Sequence, residues 1–67
     1  MNERQKKFLE ELKNKGRLTR KDYIQLFNVS LPTAARDIRI LVERGFIKAK
    51  GPAGPGRWYE IVQEKLK

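Results

Sequence analysis

The stretch Val29-Ser30-Leu31-Pro32-Thr33-Ala34-Ala35-Arg36-Asp37-Ile38-Arg39-Ile40-Leu41-Val42-Glu43-Arg44-Gly45 (29–45) decides how this chain folds. Ser30 suits an N-cap, because its hydroxyl can accept an amide hydrogen that the first helical turn leaves unpaired. Pro32 fits only that first turn, where a missing N–H is harmless, although it biases Leu31 away from helical torsions. Leu31, Ala34, Ile38, Leu41 and Val42 then share one face at the helical period of about 3.6 residues. Gly45, directly after Arg44, supplies the left-handed residue that commonly ends a helix. The pattern predicts a helix over 31–44, with Thr33, Arg36 and Ile40 opposite Leu31, Ile38 and Val42.

Upstream, Thr19 and Asp22 stand at capping-box spacing, and Tyr23, Ile24 and Phe27 form an apolar face, so a second helix is expected over 20–27. Asn28 tolerates left-handed torsions and can end that helix tightly, with Val29 tucked inward. Phe8, Leu9 and Leu12 recur at helical spacing, and Gly16 follows Lys13-Asn14-Lys15, which predicts a first helix over 3–14.

Downstream the texture changes to Phe46-Ile47-Lys48-Ala49, then Gly51-Pro52-Ala53-Gly54-Pro55-Gly56, then Trp58-Tyr59-Glu60-Ile61. Strand, Gly/Pro loop and strand make a β-hairpin, with strands expected over 46–49 and 57–61 and a short third strand over 17–19. A flexible linker at 51–56 would leave too few residues after it for another domain. Residues 62–67 are expected to form a polar tail.

The composition sets the limits. A chain of 67 residues supports one core, so 1–67 is expected to be a single domain. With no cysteine and no histidine there is neither a disulfide framework nor the usual metal ligands and general base, and no catalytic residue, metal or cofactor is expected. No apolar run is long enough to span a membrane, and the charged opening Met1-Asn2-Glu3-Arg4 is not followed by a signal-peptide core; a cytoplasmic protein without a membrane partner is expected. Sixteen Lys and Arg against eight Asp and Glu give a formal charge of +8, an excess that a polyanion would relieve.

Two short helices joined by a tight turn make a helix-turn-helix, and the trailing hairpin makes it winged, an α+β architecture of three helices and a two-stranded wing. Leu18-Thr19-Arg20-Lys21-Asp22-Tyr23, followed by Asn28-Val29-Ser30, Thr33-Ala34, Arg36-Asp37-Ile38, Leu41-Val42 and Gly45, resembles winged-helix domains of the DeoR-type repressor class; similar domains close many helicase-like and Fic-type proteins. The resemblance covers about residues 5–61. It implies sequence-specific binding of double-stranded DNA and transcriptional regulation, with the third helix in the major groove. It also implies that Asp37 orients a neighbouring arginine rather than touching DNA.

The residues themselves suggest the contacts. Arg36 can fork onto a guanine edge or a phosphate, and Thr33 can meet a phosphate or a thymine methyl; the alternative is a solvated arginine and an ordinary first-turn threonine. Ser30 and Pro32 open the same helix, Ser30 chiefly as a cap. Arg39, about 100° from the centre of the expected core face, either reaches backbone phosphate or stays wet. Arg20 and Lys21 begin the second helix, whose N-terminus is suited to a phosphate. Lys48, Lys50 and Arg57 flank the loop, where a wing would carry charge to the adjacent backbone or minor groove. Ile40 and Trp58 support a second reading, a protein-interaction module with those two as apolar anchors; RNA binding ranks last, for want of any RNA-module signature. A lone domain of this size would need a homodimer or fusion to a larger protein to supply a second half-site.

Overall fold

The computed structural model describes residues 1–54 and 56–62, in the order α1 (Glu3–Lys15), α2 (Arg20–Phe27), α3 (Leu31–Glu43), β1 (Ile47–Lys50) and β2 (Trp58–Ile61). Pro55 of the expected wing tip, and the expected tail from residue 63 onward, lie outside the described residues.

Each helix is fixed at its ends by a side chain or a glycine. Asn2 and Gln5 form a reciprocal capping box at the start of α1, and the Gly16 amide, at φ +90°, closes the helix onto the Leu12 carbonyl. Thr19 and Asp22 form the expected box on α2, and Asn28 ends it at φ 52°, ψ 49°. Ser30 caps α3, accepting from the Thr33 amide at 3.4 Å. The helix ends one residue short of expectation, because Arg44 is the cap and the next two residues complete a Schellman closure. In it the Gly45 amide donates to Val42 O and the Phe46 amide to Leu41 O, both at 3.0 Å.

That closure also explains why β1 starts at Ile47 rather than Phe46. The hairpin is antiparallel, pairing Ile47 with Ile61, Lys48 with Glu60, Ala49 with Tyr59 and Lys50 with Trp58. Val62, expected to begin the tail, instead continues the pairing, its amide donating to Phe46 O at 2.9 Å. The third strand is reduced to one bridge, in which Leu18 and Tyr59 exchange both backbone hydrogen bonds at 3.2 and 2.7 Å.

The core gathers Phe8, Leu9 and Leu12 of α1, Leu18, Tyr23 of α2, Ala34, Ile38 and Leu41 of α3, and Ile47, Tyr59 and Ile61 of the hairpin. Tyr23 sits edge-on to both Phe8 and Phe27, with ring centroids 4.8 and 4.7 Å away. Two residues expected on the buried face of α3 are not buried: Leu31 is 53% exposed and Val42 37%. Asp37 takes that space at 3% exposure, so the buried side is centred on Ala34, Asp37, Ile38 and Leu41.

Candidate nucleic-acid interface

Rotating the buried side of α3 rotates its outer side as well. At 100° per residue, the line opposite Ala34, Asp37, Ile38 and Leu41 runs through Pro32, Arg36, Arg39 and Glu43, with the two arginines each within about 30° of it. All four are exposed. Arg39 is therefore as outward as Arg36, whereas Thr33 and Ile40, expected on the outer face, lie at its flank and are half-buried. Glu43 closes the line with a negative charge, leaving the middle of α3, at Arg36 and Arg39, as its cationic part.

The rotation is held by a buried polar cluster. Asp37 Oδ2 accepts from Tyr23 Oη at 2.7 Å and from Arg4 Nε at 2.9 Å, and its Oδ1 accepts from Asn2 Nδ2 at 3.3 Å. Gln5 Nε2 donates to the Asp37 carbonyl at 3.0 Å. Burial pushes the Asp37 carboxyl up, but the hydrogen bonds from Arg4, Tyr23 and Asn2 outweigh it and hold the group below the usual carboxylate range. Burial first, and then the carboxylate beside it, push the Tyr23 phenol well above its ordinary value; Arg4 is raised through its hydrogen bond to Asp37. The arginine that Asp37 orients is thus Arg4, thirty-three positions away, and not a member of α3. Asn2, Arg4 and Gln5 were not singled out in the sequence; only the Asn2-x-x-Gln5 capping spacing signals any of them.

Between α3 and the wing lies a cleft. One part is lined by Thr19, Arg20, Lys21, Ile24, Leu31, Gly54, Arg57 and Tyr59. The adjoining part shares Arg20, Arg57 and Tyr59 and adds Ala35, Ile38, Arg39, Val42 and Ala49. Among the described residues no carboxylate lines either part. The fold thereby brings Arg20, Lys21, Arg39 and Arg57, from three separate segments, to one concave side.

Lys48 and Lys50 are not brought there. The strand pleat sets Ile47, Ala49, Tyr59 and Ile61 on the inner side and Lys48, Lys50, Trp58 and Glu60 on the other. On that far side Trp58 Nε1 donates to Glu60 Oε2 at 2.8 Å, Lys50 Nζ lies 3.9 Å from Glu60 Oε1, and the Arg17 guanidinium sits 4.9 Å above the indole. The Trp58 hydrogen bond, and then Lys50, Lys48 and Arg17, hold the Glu60 carboxyl below its ordinary range. Glu60 offsets part of the wing's charge, and its role was missed because alternation alone marks it as an ordinary exposed strand residue.

A capped second helix leading through a left-handed Asn28 into a helix with two outward-facing arginines, followed by a hairpin, defines a winged helix-turn-helix, a DNA-binding class. The chain belongs to the DeoR-like helix-turn-helix domain family, whose model matches residues 4–54. Its fold is similar to that of the adhesin competence repressor AdcR from Streptococcus pyogenes, with a TM-score of 0.83 at 20% identity over 96% of this chain and 48% of that one. It is also similar to the reduced form of MarR from E. coli, with a TM-score of 0.80 at 16% identity over 98% of this chain and 50% of that one. The chain therefore spans about half the length of either neighbour. No curated protein sequence matches it. No helix among the described residues is long and apolar enough to cross a membrane.

Proposed function

We propose that this domain binds double-stranded DNA sequence-specifically in transcriptional regulation, with α3 in the major groove and the wing on the adjacent backbone or minor groove. The observation that carries this reading is the convergence of Arg20, Lys21, Arg39 and Arg57 beside the outward Arg36. Arg36 reads a base edge, since it projects from the N-terminal half of α3, the part that enters a groove. Arg20, Lys21 and Arg57 neutralise phosphates, and Arg39 lies where it can do either. Ser30 serves chiefly as cap, while Pro32 and Thr33 approach the groove wall. Lys48 and Lys50, on the far side of the wing, face a phosphate only if the hairpin stands within the minor groove. The domain acts by binding rather than catalysis, in the cytoplasm, and gains useful specificity from a second half-site held by a second copy or by a longer chain.

The interaction-module reading is not carried forward: Ile40 is half-buried, and the Trp58 ring lies beneath Arg17.

The test is titration of a randomised duplex pool with wild type, Arg36→Ala and Arg57→Ala at two salt concentrations. The logarithm of affinity should fall linearly with the logarithm of salt, with a slope near −0.9 per contact for about four to six phosphate contacts. Arg36→Ala should lose about 1–3 kcal/mol together with base preference, and Arg57→Ala should weaken all sequences alike. Identical selection profiles for all three proteins would refute these roles.

A further inference from the structure

Leu31 and Val42 are large apolar side chains left 53% and 37% exposed on a protein of formal charge +8. Their helix buries its other side well, so poor packing does not explain them. Both line the cleft between α3 and the wing, where Ala35 and Ala49 extend the apolar floor and Arg20, Arg39 and Arg57 form the rim.

We propose that this cleft seats one sugar–phosphate strand of duplex DNA, with Leu31 and Val42 packing on deoxyribose while the rim arginines take the flanking phosphates. The inference rests on the proposed orientation of α3 and wing, and goes beyond it by assigning a binding role to two apolar residues. Its logic is geometric. A sugar–phosphate backbone is what separates a major groove from the adjacent minor groove, so the strip of protein between α3 and the wing must face one. Along that backbone, charged phosphates alternate with sugars whose carbon edges are apolar. A cationic rim around an apolar floor matches the alternation, and the absence of carboxylates from the lining among the described residues removes repulsion. A floor of polar side chains would gain nothing from the sugars, whereas Leu31 and Val42 shed water from both surfaces on docking.

Apolar and ionic contacts leave different traces in a salt titration. Ion pairs set the slope of log affinity against log salt, through counterion release; apolar burial sets the affinity that remains when the line is extrapolated to about 1 M salt. The experiment is anisotropy titration of a labelled mixed-sequence duplex across a salt series. The proteins compared are wild type, the double variant Leu31→Gln/Val42→Thr, Leu31→Gln alone, and Leu26→Gln, with thermal melts run in parallel. Leu26 is the internal standard, an exposed leucine on α2 that lines a separate depression.

The expected result is a parallel line for the double variant, displaced about tenfold toward weaker binding at every salt concentration, with Leu26→Gln on the wild-type line. Leu31→Gln, at the exposed first position of α3, should give part of the displacement and serves alone if the double variant melts below the assay temperature. A double variant on the wild-type line, or an equal loss in Leu26→Gln, overturns the inference and leaves the DNA reading intact. A wild-type affinity that does not fall with salt overturns both.

Discussion

The Tyr23 hydroxyl donates to the Asp37 carboxylate at 2.7 Å, joining the helix that precedes the turn to the buried side of the helix that follows it. Arg4 reaches the same oxygen from α1, so one carboxylate ties all three helices together. Removing it strands the phenol of a fully buried tyrosine and frees an arginine that is already part-exposed. Asp37→Ala is expected to lose about 3 kcal/mol of unfolding free energy, and Tyr23→Phe, which deletes one bond to a charged acceptor, about 1.5 kcal/mol. Urea unfolding followed by circular dichroism measures both; a loss in Asp37→Ala no larger than in Tyr23→Phe would contradict the hub role.

The same carboxylate predicts an acid dependence. Its folded pKa lies below the unfolded value of 3.8, so the native state binds its proton less readily than the unfolded chain. The stability it contributes is fully present above 3.8 and is lost as pH falls through the depressed folded value. Urea midpoints measured from neutral pH downward should decline in that window for wild type. Asp37→Asn should start lower and decline less, keeping the contribution of Glu60, which is depressed in the same direction.

The rotation of α3 also marks the limit of what could be read in the sequence. Helix ends were legible because their signals are local: Thr19 with Asp22, Asn28, and Gly16 lie within a turn of the group each satisfies. The outer face was legible at Arg36 and misplaced around it, because the apolar pattern of 29–45 takes Leu31 and Val42 for core and leaves Asp37 out of it. A buried aspartate is tolerable only with its partners, and besides Tyr23 those are Asn2 and Arg4 at the start of the chain, beyond the reach of periodicity. Arg39 was undervalued for the same reason. The cleft was unreadable as a unit, since it gathers the start of α2, the side of α3 and the inner edge of the wing.

Ser30 and Thr19 separate capping from contact. Thr19 both accepts from the Asp22 amide at 3.1 Å and is engaged by the Asp22 carboxylate, whereas Ser30 accepts from the Thr33 amide at 3.4 Å on an exposed turn. Thr19→Ala is expected to lower stability by about 1–2 kcal/mol and Ser30→Ala by about 0.5 kcal/mol. If Ser30 is chiefly a cap, Ser30→Ala will leave the salt dependence of DNA binding unchanged at temperatures where the protein is folded. A slope reduced by about one phosphate contact would show that its hydroxyl works directly on the backbone.

The wing's position depends on Gly51. Its φ of +81° is strained for any residue with a Cβ, and a methyl group built there would lie 2.5 Å from Cζ3 of Trp58. The indole cannot simply yield, because it is held by its bond to Glu60 and covered by Arg17. Gly51→Ala must therefore either distort the turn or swing Trp58 away from both partners, at a cost of about 1–2 kcal/mol. Trp58 is the only tryptophan, so its fluorescence reports the outcome without a label. A displaced ring should shift its emission, and Arg57, one residue away, should lose its place in the cleft and with it some affinity for every duplex alike. Gly54, where a methyl group meets nothing, has a similar positive φ and provides the comparison. Gly54→Ala should show the backbone strain without the change in emission, and equal emission shifts in the two variants would mean that contact with the indole is not what fixes the wing.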